Sequence, residues 1–398
     1  MDTTIPSTFR AIFCSFAGVF TAPSFENFMT LATGWMLCAG RHTISGVIRA
    51  GAGRARKKHF STLYRFFSRA VWDVDAFGKA LFHLVLALAG EVVLAVVDDT
   101  LCPRSGPHFW GAGMHHDPLR STCGRGSSAG RWFAMAFGHN WVVLAIWVRV
   151  PWNSARGVAA PILLPRKQPK RGRRLKGRRL RSPEELAAAK SVRWRTLKPV
   201  IYGRKVGVLV KTQVGMWYGV AHTRLVRVVV TRDPSGRIED RACFTTELDL
   251  SVEEILGGFS RRWSLEVTFH DAKQSLGLED SQNGWWRRPK RRRRRKKRPG
   301  PHSKGRRGER TVRHTVPLIF CVYGLVIVWY LRHGDAKRDV ERARRLSPWY
   351  RHKREPSFAD MLGAVRRELW AARIMAYPSL RRIRRNIITL IPDWMAAA

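Results

Sequence analysis

Glu266 stands in a stretch, Phe259 to Lys273, that contains neither Gly nor Pro and is led into by Glu254 to Leu256, so the pattern predicts a helix. At about 100° per residue, Arg262, Glu266 and Lys273 fall within about 40° of one another on it. Leu265, Phe269, Ala272 and Leu276 form the adjoining stripe that such a helix would bury. A carboxylate between two cations can hold a metal ion next to phosphates. It can equally be a surface ion-pair ladder, since Arg262 and Glu266 are spaced i,i+4. Upstream, EVVLAVVDDT (Glu91 to Thr100) is a β-branched apolar run without alternation, which predicts a buried central strand. It ends in Asp98 and Asp99, and acids at the carboxyl end of a buried strand are well placed to present metal ligands. A strand-ending Asx turn accounts for one of them more easily than for the pair.

The elements that must position these acids sit in a very basic chain. Its 398 residues, 45% hydrophobic, have room for one large domain or two to three smaller ones. With 73 Lys+Arg against 29 Asp+Glu the formal charge is +44, which points to a polyanionic partner, nucleic acid first. A membrane surface competes with that reading. The longest apolar run, Pro317 to Leu331, is shorter than the about 20 residues that span a bilayer comfortably. No basic n-region precedes the first apolar stretch, and the six cysteines include no C-x-x-C pair. The expectation is a reduced, cytoplasmic, nucleoid-associated protein with no membrane partner.

Residues 1–89 read as a helical N-terminal DNA-binding region, broken near Pro23, with Thr43 or Ser45 as a helix cap. RARKKHFSTLYRFFSR (Arg54 to Arg69) interleaves cations with Tyr64, Phe66 and Phe67, as on a helix that packs on one side and meets phosphates on the other; an ordinary basic surface helix fits equally. Arg131 to Phe137 and Trp141 to Val150 predict two strands joined by a turn at Gly138-His139-Asn140. His115-His116-Asp117 has no further ligand at a diagnostic spacing. Residues 151–200 are expected as a basic loop. Within them Ser182, Pro183 and Glu185 have the order of a capped helix start. Residues 201–250 turn to antiparallel β, and 287–310 form a second basic loop with a polybasic run from Arg287 to Arg298. An apolar helix over Arg313 to Leu331 and a basic helical region, 336–398, complete the chain.

Phe259-x2-Arg262-x3-Glu266-x6-Lys273 resembles the Y-x2-R-x3-E-x6-K signature of insertion-sequence DDE transposases, and the wider FSRRWSLEVTFHDAKQSLGLEDSQ is similar to the same region. The resemblance extends to VVDDT, to GHNWVVLAIWV and to the β-rich stretch before the glutamate helix, about residues 90–335 in all. It implies an α/β, RNase H-like mixed sheet with a β-insertion, Mg²⁺ or Mn²⁺ as cofactor, and cutting and joining of DNA at terminal inverted repeats. Asp99 then matches the first catalytic aspartate, with Asp98 beside it as a further metal ligand, and Glu266 matches the catalytic glutamate. Arg262 and Lys273 would contact phosphates. Trp263 would stack on an unpaired base, or else be a core indole. Dimerisation on paired ends is what the family implies.

Two departures follow. Phe259 stands at the signature tyrosine, so a hydroxyl contact is lost while the ring remains. The second aspartate is missing: no Asp occurs from Pro118 to Arg232, and the basic segment Pro151 to Arg181 stands where its strand and helix should be. The expectation is a transposase by descent whose strand cutting is impaired, with a non-catalytic DNA- or RNA-binding protein as the alternative.

Overall fold

The computed structural model describes residues 5–51, 58–90, 93–104, 109–117, 134–163, 180–201, 204–217, 224–236, 240–280 and 305–376. The polybasic run, Gln282 to Trp286, the Arg- and Lys-rich centre of 151–200 and the arginines beyond Tyr377 lie outside them. The chain divides into two units: 1–152, 158–164 and 265–398 in the first, 153–157 and 165–264 in the second.

The first unit begins with helices α1 (Ser7–Cys14), α2 (Ala22–Leu37), α3 (Ile44–Ala50), α4 (Phe60–Ser68) and α5 (Val74–Leu86). Pro23 lies in the first turn of α2, where its missing N–H costs nothing. Thr43, not Ser45, caps α3 by accepting from Gly46 N–H. On α4, Leu63, Phe66 and Phe67 are buried while Tyr64 is exposed and shares a hydrogen bond with Ser45. These helices pack against α8 (Arg306–His333), whose side chains from Thr315 to Tyr330 are buried throughout. α8 is long and apolar enough to cross a membrane, but 94% of its apolar window is buried inside the protein. α9 (Ala336–Leu346) and α10 (Phe358–Ala376) follow. One core joins α1–α5, α8, α10 and the sheet.

The sheet of this unit holds β1 (Leu94–Pro103), β2 (Gly113–His116), β3 (Met135–Val150) and β4 (Asn153–Leu163). It corrects four expectations. First, there is no turn at Gly138-His139-Asn140: β3 is one strand of 16 residues. Gly138 is there because a Cβ would lie 2.3 Å from the Cys102 carbonyl oxygen of the neighbouring strand. Second, β1 is not buried on both faces. It pairs with β3 alone among the described strands, and Val97 is 51% exposed. Asp98 and Asp99 lie in its middle, opposite Val143 and Val142, rather than at its end. Third, a strand does follow Val150. β4 pairs with β3 across the tight turn at Pro151-Trp152 and, having no other partner among the described strands, tolerates Pro161. Fourth, among the described strands the sheet is antiparallel rather than mixed: β1 and β2 run antiparallel to β3, and a hairpin turn that short makes β4 antiparallel too.

The second unit is the β-rich insertion. After α6 (Pro183–Ala188) come β5 (Arg195–Leu197), the small ribbon β6 (Val200–Ile201) and β7 (Arg204–Lys205), then β8 (Val208–Met216), β9 (Leu225–Arg232) and β10 (Arg241–Thr245) in the order β10-β9-β8-β5. The Ser182–Glu185 capping box expected for α6 is present in both directions. Val208, Val210, Val229 and Cys243 on one face of this sheet pack with Ile255 and Leu256. On the other face, Val230 packs with Leu186 and Ala187. Lys211, 3% exposed, closes the end of α6 by donating to the carbonyls of Leu186, Ala187 and Ala189.

Candidate functional site

The helix that carries Glu266 is α7 (Val252–Ser275), longer at its start than the sequence pattern indicated. Ser251 and Glu254 close a reciprocal cap there, Ser251 N–H donating to Glu254 at 2.8 Å and Glu254 N–H to Ser251 Oγ at 3.2 Å. From Leu265 onward α7 belongs to the first unit, and the expected stripe is the one it buries: Leu265, Phe269, Ala272 and Leu276 are at most 5% exposed.

Two hydrogen bonds fix how this part of α7 lies across the sheet. On one flank, Thr268 Oγ1 donates to the Ala159 carbonyl of β4 at 2.9 Å. On the other, Lys273 Nζ donates to the Leu101 carbonyl of β1 at 2.8 Å. At about 100° per residue Glu266 and Lys273 are about 20° apart, while Thr268 lies about 140–160° away from them. Glu266 therefore stands on the flank of α7 that faces β1, about 10 Å back along the axis from Lys273. It is half-buried.

β1 sorts its two aspartates to opposite faces, as any strand does with consecutive residues. Val96, Thr100 and Cys102 are buried on one face, and the half-buried Asp98 shares it. Val96 and Cys102 belong to the main core, so that face is the core-facing one, and burial pushes the Cys102 thiol up to about 11. Asp99 is exposed on the face that carries Val97 and Val142. There Asn140 Nδ2 donates to Asp99 Oδ2 at 2.7 Å. The two aspartates are also linked locally, Asp99 N–H donating to Asp98 Oδ1 at 3.0 Å.

The C-terminal end of α7 is held from several sides. Gly277, at φ +61°, lets the chain turn so that Leu278 N–H reaches the Ala272 carbonyl at 3.1 Å. Trp35 Nε1 donates to the Leu276 carbonyl at 2.9 Å and Arg104 Nη1 to the Glu279 carbonyl at 2.7 Å. The Lys273 ammonium completes this set, pairing with Glu279 at 3.1 Å. A cavity of about 420 Å³ lies next to it, lined by Arg41, His42, Lys273, Asp280 and Arg366 among others, and neither Asp98 nor Glu266 borders it.

Of the remaining sequence-derived site residues, Phe259, Arg262 and Trp263 belong to the second unit. Trp263 is 49% exposed, which removes the core-indole reading, and the Arg262 guanidinium lies 5.3 Å from the centre of the Phe259 ring. Sequence reasoning passed over Asn140 and Arg104. Asn140 lies in a Gly-His-Asn sequence that reads as a turn, and Arg104 follows an acid-bearing strand without any spacing signal.

Asp98 and Glu266 are oxygen donors of the kind a hard divalent cation takes, and Mg²⁺ is often held by one or two carboxylates together with substrate phosphate. By donor chemistry alone, carboxylates of this type suit such an ion. Among the described residues no group of three or more His, Cys, Asp or Glu is arranged to hold a metal.

Residues 16–152 match the family model described as DDE superfamily endonuclease. The matched segment runs from the end of α1 through β3, includes both aspartates and ends before Glu266. It supports a DDE transposase-like family for this part of the chain, and such a family implies DNA as substrate and a divalent metal as its usual cofactor. A comparison with curated proteins finds no match.

Proposed function

We propose that the chain is the transposase of an insertion sequence, which binds the element's terminal inverted repeats and cuts and joins DNA weakly for want of a third carboxylate. The observation that carries this reading is the shared flank of α7: the ridge fastened to β1 through Lys273 also carries Glu266, and Asp98 is half-buried on the core-facing side of β1. Asp98 and Glu266 are the pair assigned to hold Mg²⁺ or Mn²⁺. Asp99, held by Asn140 on the other face, is assigned a supporting role. When bound, the ion would activate an attacking oxygen and neutralise charge on the phosphate. Arg262 and Trp263, exposed or half-exposed on the same helix, are suited to a phosphate and an unpaired base. Lys273 is a positioning residue, because its ammonium is already engaged by Leu101 and Glu279.

A second reading, a binding protein derived from such an enzyme, is favoured by the absence of a three-donor cluster among the described residues. Nicking of DNA that carries the flanking inverted repeats, with Mg²⁺ or Mn²⁺, separates the two. The first reading expects slow nicking that falls by about 100-fold or more in Asp98→Ala and in Glu266→Ala, and by less than about fivefold in Asp99→Ala. Repeat-specific binding with no nicking establishes the second reading. Binding without preference for the repeats overturns both in favour of a general polyanion binder.

A further inference from the structure

Between α9 and α10 the first unit carries a short turn, Pro348–Tyr350, that the reading of Asp98 and Glu266 leaves unused. The turn is well fastened. Tyr350 N–H donates to the Ser347 carbonyl at 2.9 Å, and Lys353 N–H to the Tyr350 carbonyl at 3.0 Å. Arg344 Nε donates to the Lys353 carbonyl at 2.9 Å, which ties the end of α9 to the far side of the turn. The Lys353 ammonium pairs with Asp360 on α10 and lies 5.3 Å from the centre of the Tyr350 ring. Asp360 in turn accepts from Ser357 N–H at the start of α10, at 2.6 Å.

On this fixed support two large aromatic side chains stand in water. Trp349 is 75% exposed and Tyr350 52%, with ring centres 6.2 Å apart. Large rings held rigidly at the surface have contacts still to make. Their surroundings are cationic. Between Ala336 and Arg354 there are eight Lys and Arg against Asp339 and Glu341, and Asp339 is buried. Arg351 and Arg354 are exposed beside the rings.

We propose that this turn is a stacking platform for unpaired nucleotides, Trp349 and Tyr350 taking bases on their faces while Arg351 and Arg354 take phosphates of the same strand. Rings accept any base whose face is free, and cations alongside follow the backbone; that combination marks single-strand binding. A duplex hides the faces of its bases, so the rings add little there. An anionic lipid surface would also attract a tryptophan among arginines. The excess of +44 over the whole chain and the match of residues 16–152 to endonucleases favour nucleic acid. The proposal concerns binding alone and stands whether or not the chain cuts DNA.

Fluorescence anisotropy with the full chain tests it, using a labelled oligothymidylate of about 16 nucleotides and a duplex of the same length over a range of KCl. Trp349→Ala/Tyr350→Ala is expected to bind the single strand about tenfold more weakly, with duplex affinity within about twofold of the parent and the salt slope unchanged. Trp349→Phe, which keeps a ring, should fall between. Arg351→Ala/Arg354→Ala should lower the single-strand salt slope by about 1.4, at about 0.7 per phosphate contact. All of these positions are exposed, so an unchanged urea midpoint is expected and verifies folding. Single-strand affinity left intact by the aromatic pair of changes overturns the proposal, and so does an equal loss on duplex. A loss confined to phosphatidylserine vesicles reassigns the turn to a membrane surface and overturns it as well.

Discussion

Consecutive residues of a strand point to opposite faces, so Asp98 and Asp99 cannot both face the core. Burial decides between them: Val96, Thr100 and Cys102 share the covered face with Asp98, while Asp99 turns to solvent and to Asn140. Lys273 has a similar choice between two roles. A lysine that contacts a DNA phosphate releases counterions, whereas one that donates to Leu101 O and pairs with Glu279 holds helix to strand. The roles give different readouts. Lys273→Met keeps the aliphatic stem but leaves the Leu101 carbonyl without its donor. It should cost about 1–2 kcal/mol, read as a lower urea midpoint at unchanged slope, the range for a hydrogen bond to a charged group discounted for partial exposure. The salt slope of duplex binding should stay as it is. A slope smaller by about 0.9, with stability unaltered, would mean that Lys273 meets phosphate instead.

At the scale of elements, the strand pair β1–β3 sets where Asp98 stands, and at its end Gly138 pairs with Pro103 on one side and Gly113 on the other. A Cβ there would meet the Cys102 carbonyl at 2.3 Å and Pro103 Cα at 3.0 Å, both backbone and neither able to rotate away. Gly138→Val is therefore expected to cost about 2 kcal/mol or more and to speed amide exchange at Leu101, Cys102 and Arg104, whose N–H donates to the Phe137 carbonyl. A midpoint and exchange pattern equal to the parent's would show that the two strands are not in this contact. The same glycine explains why the turn at 138–140 was misread. Gly-His-Asn is good turn chemistry, and only the neighbouring strand reveals that Gly138 serves close approach. β1 was misread for a related reason: a β-branched apolar run looks the same in a central strand and in one with an open face. α7 was legible because its signals are local, an uninterrupted stretch with a 3.6-residue stripe that matches the residues it buries. Pairing partners are long-range, and no local pattern carries them.

At the scale of the molecule, the two units rest on cores of very different size. The first unites aromatic side chains of α1–α5 with the full length of α8, while the second has two small clusters built on β8–β10 and the segments they touch. Burial of apolar area is the main stabilising term, so the second unit should open first in urea at pH 7. Acid should narrow the gap by acting on the first. His314 of α8 is 5% exposed, stacked on Trp72 at 4.1 Å, and burial pushes its pKa down from 6.5 to about 4. With the folded value below the unfolded one, its neutral form contributes fully above about pH 6.5, and that contribution is lost as pH falls toward 4, where it levels off. The interval of about 2.5 units corresponds to about 3 kcal/mol. Burial lowers His42 and His139 in the same unit, which adds in the same direction; Asp271, raised by its own burial, works against them. Hydrogen exchange read by mass spectrometry at graded urea should show β8–β10 peptides opening well before α8 peptides at pH 7, and the two transitions closer at pH 4.5. His314→Phe should remove most of that pH dependence from α8. Opening of α8 ahead of β8–β10 at pH 7 would refute the ranking of the cores. A pH response unchanged in His314→Phe would assign the acid sensitivity to other groups.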